Sequence, residues 1–429
     1  MTLFQIFFVT FLVLMVLRLP LYLSFITSSL IYFIFHPHLS LLTALQRMMN
    51  APNSFTLLAI PFFVFAGQVM SFGGVSQRIF RFADVMVGHW KGGLAYANVI
   101  ASLIFAGKSG SALADIGALG PIQIKAMREG GYEDDIILGV SGASATVAPI
   151  TPPSIPFVIF GAMANVSIGG LFLAGIVPGL LIVIVLCISV FFIARIRNYP
   201  ARKRATIREM LRAFFDAFWA LLFPVIIVGG IWTGLFTPTE AALVAAVYGL
   251  LIAILVYKDF SIKQIPKLVS ETVQLIGPAL AAVIGAALFA WIMTFERIDQ
   301  FLVDAIFNIS TNRYVVLLLI NLILLFLGMF LEIIAAVMIM LPILLPIIEV
   351  IGVHPVHLGV IMVLNLMIGL MTPPVGFSLF MLSSISGVSF GKTVKYCLPW
   401  TIPLLIVLML VTYFEPLALF LPRLLGMVN

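Results

Sequence analysis

A Thr-Pro-Pro triplet occurs twice in an otherwise very apolar chain, as Thr151-Pro152-Pro153 and as Thr372-Pro373-Pro374. The same offset of 221 residues, with no gap, places Gly107 on Gly328, Ala114 on Ala335, Pro121 on Pro342, Ile122 on Ile343 and Gly131 on Gly352. Most of these shared residues are glycine or proline, the residues that punctuate helices. A doubled hydrophobic unit, interrupted at corresponding places in both halves, is the sequence mark of a secondary transporter, with its binding sites at the interruptions. The match continues with small slips. Val166-Ser167 pairs with Val388-Ser389, and Met70-Ser71-Phe72 resembles Met293-Thr294-Phe295.

Composition leaves little room for a soluble fold. Hydrophobic residues make up 62% of the chain and charged residues 9%, against about 25% charged in soluble domains. An all-α polytopic membrane protein follows. Seven of the 23 basic residues crowd into one loop, as Arg195, Arg197, Arg202, Lys203, Arg204, Arg208 and Arg212, and the positive-inside rule puts that loop in the cytoplasm. The net charge of +6 therefore indicates topology rather than nucleic-acid binding. Cys187 and Cys397 both lie in apolar runs and support neither a disulfide framework nor a metal site. No basic residue precedes Arg18, so the N-terminus reads as a retained helix rather than a cleaved signal.

Four segments are expected: 1–50 as N-terminal scaffold helices, 51–195 as repeat one, 196–263 as the basic loop with connecting helices, and 264–429 as repeat two. Within the repeats, 107–127 and 328–348 each follow an apolar span, begin with glycine and carry proline at the fifteenth position. Both suit re-entrant helical hairpins. Irregular backbone at membrane depth survives only where protein or a wet cavity surrounds it. Breaks at 151–154 and 372–376 interrupt two further helices, since proline removes a donor and clashes with the carbonyl four residues earlier. Carbonyls freed in this way need a partner, and a small cation would serve, the other reading being a kink closed by nearby hydroxyls.

Gly107-Lys108-Ser109-Gly110-Ser111 contains a Gly-Lys-Ser string, but a phosphate loop needs glycine at position 102, which is serine. An unwound hairpin tip fits better. Glycine permits unusual backbone angles, and Ser109 and Ser111 add hydroxyl oxygens of the kind a hard cation takes. Close helix packing through small residues is the plainer alternative. Glu332 stands at the repeat position of Ser111, and an intramembrane carboxylate is a functional candidate by default. Ser141, Ser144 and Thr146 precede the first break and Asn365 the second. Asn165 and Ser167 follow the first, and Ser383, Ser384 and Ser386 the second. Together they offer hydrogen bonds to a hydrophilic solute. Thr237-Pro238-Thr239-Glu240 reads as a capped helix start, and His354-Pro355-Val356-His357 as a loop. Arg128, Glu129, Glu133, Asp134 and Asp135 read as a solvated connection, while Lys108 and Asp115 either pair near the tip or leave Lys108 facing water.

At these residues the chain resembles the large membrane subunit of the tripartite ATP-independent periplasmic (TRAP) transporters over essentially its whole length. The resemblance rests on Gly107-Lys108-Ser109-Gly110-Ser111-Ala112-Leu113-Ala114-Asp115, Ile150-Thr151-Pro152-Pro153-Ser154, Phe236-Thr237-Pro238-Thr239-Glu240-Ala241 and Met371-Thr372-Pro373-Pro374-Val375-Gly376. It implies an inverted-repeat, elevator-type transporter in a bacterial inner membrane, driven by a sodium gradient. It also implies a small four-helix membrane subunit, a periplasmic solute-binding protein and a carboxylated solute such as sialic acid, a dicarboxylate or a sugar acid. The expected sodium ligands are Gly107, Ser109, Thr151, Pro152, Gly328, Gly369 and Thr372, with Ser111, Ser154, Ser167 and Glu332 on the adjoining substrate surface. Lys108 departs from the hairpin pattern. A sodium/anion symporter that works without a binding protein, and an anion channel, are the alternatives. An enzyme is not expected, for the chain lacks a histidine-rich metal set and an activated nucleophile.

Overall fold

The computed structural model describes residues 3–17, 19–53, 55–70, 74–258 and 260–428, apart from the side chains of Val16, Ala51, Ser109, Asp299 and Leu302. Ser71 and Phe72 lie outside the described residues. Among the described residues the secondary structure is entirely helical. The chain opens with α1 (Leu3–Val16), α2 (Leu21–Phe35), α3 (Leu41–Asn50), α4 (Ala59–Val69) and α5 (Val75–Val87). It continues through α6 (Gly93–Ser109), α7 (Ala112–Glu129), α8 (Asp134–Ala145), α9 (Ile155–Ala164), α10 (Ile168–Ile196), α11 (Ile207–Trp232) and α12 (Pro238–Leu251). The second half comprises α13 (Ile265–Phe295), α14 (Ile298–Ile309), α15 (Arg313–Gly328), α16 (Ile333–Val350), α17 (Pro355–Leu370), α18 (Phe377–Ser386), α19 (Phe390–Cys397), α20 (Thr401–Tyr413) and α21 (Pro416–Leu424). Among the described residues, six helices are long and apolar enough to cross a membrane, or eight if two bent pairs each count as one span.

The sequence repeat recurs in the order of helices. From α6 to α9 the chain forms two helices joined at a tip and then a helix broken in the middle, and α15 to α18 do the same. Backbone turns recur too: Gly131 and Gly352 both have positive φ, as do Asn165 and Gly387 after the broken helices. Both proline doublets contain a cis peptide bond. The packing is reciprocal between halves. Helix α7 lies on α18 and its counterpart α16 lies on α9, while α8 packs on α19 and α17 on α10. Exchange of partners in this manner is the signature of a two-fold relation.

The long helix α10 shows how the halves are oriented. Its 29 residues span about 43 Å, more than the hydrocarbon core of a bilayer. At its C-terminal end Arg197 meets Glu133 and Asp135, which stand at the base of the α6–α7 pair. Nearby, Arg202 bonds Asp84 at 2.8 Å. At the other end Gly169 and Gly170 are packed by Met427 and Val428, just beyond α21. Arg423 on α21 bonds Glu415 at 2.9 Å, and Glu415 also bonds Arg313 at 2.9 Å, at the base of the α15–α16 pair. The two helix pairs therefore open toward opposite ends of α10. A cysteine at Glu129 and one at Glu349, in a background without Cys187 and Cys397, should react with an impermeant maleimide from opposite sides of the membrane. Labelling of both from the same side would contradict this arrangement.

Two local expectations change. The stretches 107–127 and 328–348 are not complete hairpins, since the preceding helix is the first arm of each and the units run from Gly93 to Glu129 and from Arg313 to Val350. Pro121 and Pro342 lie inside α7 and α16 and do not end them. The first turn is placed instead by Gly110 in the left-handed region at φ 56° followed by Ser111, an extended cap residue. His354-Pro355-Val356-His357 is a helix start rather than a loop. The His354 ring accepts from the Val356 N–H at 3.1 Å, and buried His357 contacts the Val411 carbonyl at 2.8 Å. Thr237 and Glu240 form the expected capping box.

Candidate functional site

Each helix pair turns so that the second arm begins with a capped N-terminus in the middle of the protein. Ser111 caps α7, its hydroxyl accepting from the Ala114 N–H at 3.5 Å. Glu332 caps α16, its carboxylate accepting from the Ile334 N–H at 3.0 Å. The first turns of an α-helix leave amide groups unbonded and carry a partial positive charge, so both termini attract negative or electron-rich groups.

These two termini share one cavity of about 680 Å³. Three repeat-related pairs line it: Ser111 with Glu332, Leu113 with Ile334 and Ala114 with Ala335. The opposite wall comes from α2, α4 and α13 through residues that include Tyr22, Gln68 and Ile276. The cavity thus lies between the repeat tips and helices outside the hairpins. Glu332 and Ser111 were legible as polar residues at matched positions. Gln68 and Tyr22 were not singled out, although an amide inside apolar α4 is a usable signal. Thr272 of α13 donates to the Gln68 carbonyl oxygen at 3.3 Å, which fixes that side chain at the wall.

Each tip touches the broken helix of its own half. A methyl group on Gly110 would lie 2.2 Å from the Pro153 carbonyl oxygen, so only glycine lets the tip approach this closely. In the second half the Gly376 N–H donates to the Met329 carbonyl at 3.2 Å. Gly328 and Gly369 bring α15 and α17 into direct backbone contact, since a methyl on Gly369 would lie 2.5 Å from the Gly328 carbonyl carbon. Gly107 is a helical residue of α6 packed against Pro224. These three glycines act here as close-packing residues. The Ser109 side chain lies outside the described residues.

At the breaks the threonines behave identically. Thr151 Oγ1 donates to the Val147 carbonyl at 2.9 Å, and Thr372 Oγ1 donates to the Ile368 carbonyl at 2.8 Å. A hydroxyl thus closes part of each gap, while its lone pairs stay available as acceptors. Pro152 is buried within the first break. Ser154 is fully buried, donates to the Pro149 carbonyl at 2.5 Å and accepts from the Phe157 N–H at 3.2 Å. It works as the cap of α9 and does not line the cavity, although its neighbour Ile155 does. Ser167 is an exposed cap of α10, accepting from the Gly170 N–H at 3.0 Å, and is also absent from the cavity wall. In this structure both serines cap helices, and neither lines this cavity.

The polar residues around the breaks turn toward one another. Asn98 donates to Ser141 Oγ at 2.8 Å and accepts from Ser144 Oγ at 2.9 Å, and Ser102 bridges Ser144 to Asp115. In the second half Asn365 donates to the Asn321 side-chain oxygen at 2.7 Å, and Asn321 donates to Thr412 at 3.0 Å. Thr146, Ser383 and Ser386 each donate to a nearby carbonyl. Of these, Ser141, Ser144, Thr146, Asn365, Ser383 and Ser386 are the residues the sequence offers to a solute. In this structure they bond within the protein, as buried polar groups need to, and only the Asn365 side-chain oxygen is left without a hydrogen-bond partner among them.

The model of the family described as the tripartite ATP-independent periplasmic transporter, DctM component, matches residues 8–417. The chain is 43% identical, over 95% of both sequences, to the sialic acid TRAP transporter large permease protein SiaM of Vibrio cholerae. It is 41% identical, over 89% of both, to the C4-dicarboxylate TRAP transporter large permease protein DctM of Pseudomonas aeruginosa. Among solved structures, the YdaH transporter of Alcanivorax borkumensis has the same fold, with a TM-score of 0.66 at 15% identity over 92% of this chain and 98% of that one. With its helical membrane architecture and its two matched hairpin units, the chain belongs to the DctM-component family of tripartite ATP-independent periplasmic transporters and is a transporter permease, not an enzyme.

Proposed function

We propose that the chain performs sodium-coupled import of a small carboxylated solute across a bacterial inner membrane, by elevator-type alternating access. Sialic acid is the first candidate solute and a dicarboxylate or sugar acid the next, in keeping with the names of the relatives. A periplasmic binding protein would deliver the solute, and a small four-helix membrane subunit would complete the assembly. The observation that carries the reading is the cavity shared by the repeat-related caps Ser111 and Glu332.

The chemistry of that cavity calls for a cation. Among the described residues lining it, none is lysine or arginine, and Glu332 brings a negative charge. A carboxylated solute beside Glu332 needs a positive ion to offset the repulsion. Sodium takes oxygen ligands readily, and the threonine hydroxyls and carbonyls at the two breaks are of that type. Opposite openings of the two hairpin units agree with an inverted repeat. The tips and breaks, in contact with one another, would travel as one body past α2, α4 and α13.

Reconstitution of the chain with its small subunit tests the reading. Uptake should saturate with solute, require an inward sodium gradient and require added binding protein. Uptake without binding protein would favour a simpler sodium/anion symporter. Non-saturating flux indifferent to the gradient would favour a channel.

A further inference from the structure

Lys108 is buried to 3% exposure one residue from the glycine that begins the first tip motif. Its ammonium donates to the Met70 carbonyl at 3.0 Å and sits 3.6 Å from the centroid of the Phe105 ring. Met70 is the C-cap of α4, and Lys108 lies in the last turn of α6, so the charge stands at the negative ends of two helices. Asp115, 1% exposed, lies across the tip in the first turn of α7. One oxygen of Asp115 accepts from Ser102 at 2.9 Å, and the other has no hydrogen-bond partner among the described residues. A helix-end carbonyl, an aromatic face and a buried carboxylate make a site for a small monovalent cation. Here that site is filled by the end of a side chain.

The second tip keeps the aromatic residue, with Phe326 at the repeat position of Phe105, but differs at the two charged positions. The repeat mate of Lys108 is Met329, and that of Asp115 is Ala336. The second tip therefore has no ammonium, and its charge is the Glu332 carboxylate on the cavity wall. A sodium ion approaching the first tip would meet a like charge in a medium that screens poorly. The first tip thus does not fit a sodium ion in the way Gly107 and Ser109 alone suggest.

We propose that the Lys108 ammonium is a tethered cation that replaces a coupling sodium ion at the first hairpin, so that this transporter binds sodium at the second hairpin only. This inference rests on the sodium-coupled reading above. It identifies Lys108 as a residue that sets how many ions accompany each solute.

Equilibrium binding of radioactive sodium to the detergent-purified two-subunit complex tests it, together with the sodium dependence of uptake. Lys108→Met should bind one more sodium ion per complex than the unchanged protein, and its uptake should depend on sodium with a Hill coefficient higher by about one. Lys108→Arg, which keeps the charge, should bind as the unchanged protein does. Asp115→Asn in the Lys108→Met background should remove the added ion, because Asp115 then supplies the freed carboxylate. An unchanged ion count in a folded Lys108→Met complex overturns the proposal. Should that variant fail to fold, the count in the unchanged complex decides: sodium bound at both tips overturns the proposal, and sodium at one supports it. Uptake by the unchanged protein that ignores sodium altogether overturns the sodium reading and this inference with it. Sodium-dependent uptake with both tips occupied overturns this inference alone.

Discussion

Glu332→Gln should lower uptake roughly 100-fold or more, because removing one partner of a buried charge interaction costs about 3–5 kcal/mol. In the cavity, Glu332 is the one carboxylate among the described lining residues, and under the proposed function its loss would leave the coupling cation without its counter-charge. The same side chain caps α16 through the Ile334 N–H, and the glutamine carbonyl can still accept that bond. The fold should therefore survive, and the melting temperature in detergent should stay within a few degrees. Glu332→Ala confounds the two roles, since loss of a cap alone costs about 0.5–2 kcal/mol. Uptake by Glu332→Gln close to the unchanged protein's rate would remove this residue from the site.

Gly110→Ala should destabilise the protein far more than Gly131→Ala, although both glycines have positive φ, at 56° and 78°. Left-handed backbone costs any residue with a Cβ about 1–2 kcal/mol, and this penalty applies at both places. Only Gly110 faces a second obstacle. Its added methyl would lie 2.2 Å from the Pro153 carbonyl oxygen, whereas nothing lies within 4 Å at Gly131. Backbone cannot swing aside as a flexible side chain does, and overpacking adds about 1–3 kcal/mol. The Gly110 variant should also lose uptake, because its tip can no longer rest on the broken helix. Apparent melting temperatures of the two variants, measured side by side, give the comparison. Equal midpoints would show that the tip-to-break contact is not close in the working protein.

The matched interruptions were legible because glycine and proline act locally. Proline doublets break α8 from α9 and α17 from α18 wherever the rest of the chain goes. Ser111 and Glu332 stood out because a polar residue at matched positions in two apolar repeats asks for an explanation. The extent of the hairpins was harder to read. Pro121 and Pro342 sit at matched positions of the two stretches, but neighbouring helices let a membrane helix carry proline in its interior, so they do not mark its ends. The direction in which a polar side chain points was not readable at all. Ser144 and Asn365 are apt ligands by composition, yet Ser144 bonds Asn98 and the Asn365 amide nitrogen bonds Asn321. Of the two side chains, this leaves only the Asn365 oxygen without a hydrogen-bond partner among the described residues.

The physical reason lies in the sidedness of a membrane helix. In a soluble helix, an apolar stripe shows which face turns inward. Helix α17 is apolar nearly all round, so the asparagine on it carries no sign of its direction. From sequence alone come the membrane class, the duplication, the break positions and the family resemblance, all of them consequences of local chemistry or composition. Tertiary structure decided which of the polar groups share a cavity, that α2, α4 and α13 supply its far wall, and that the ammonium of Lys108 is held between α4 and α6. Those facts depend on how distant helices approach one another, and that approach is governed by close packing between segments far apart in the chain.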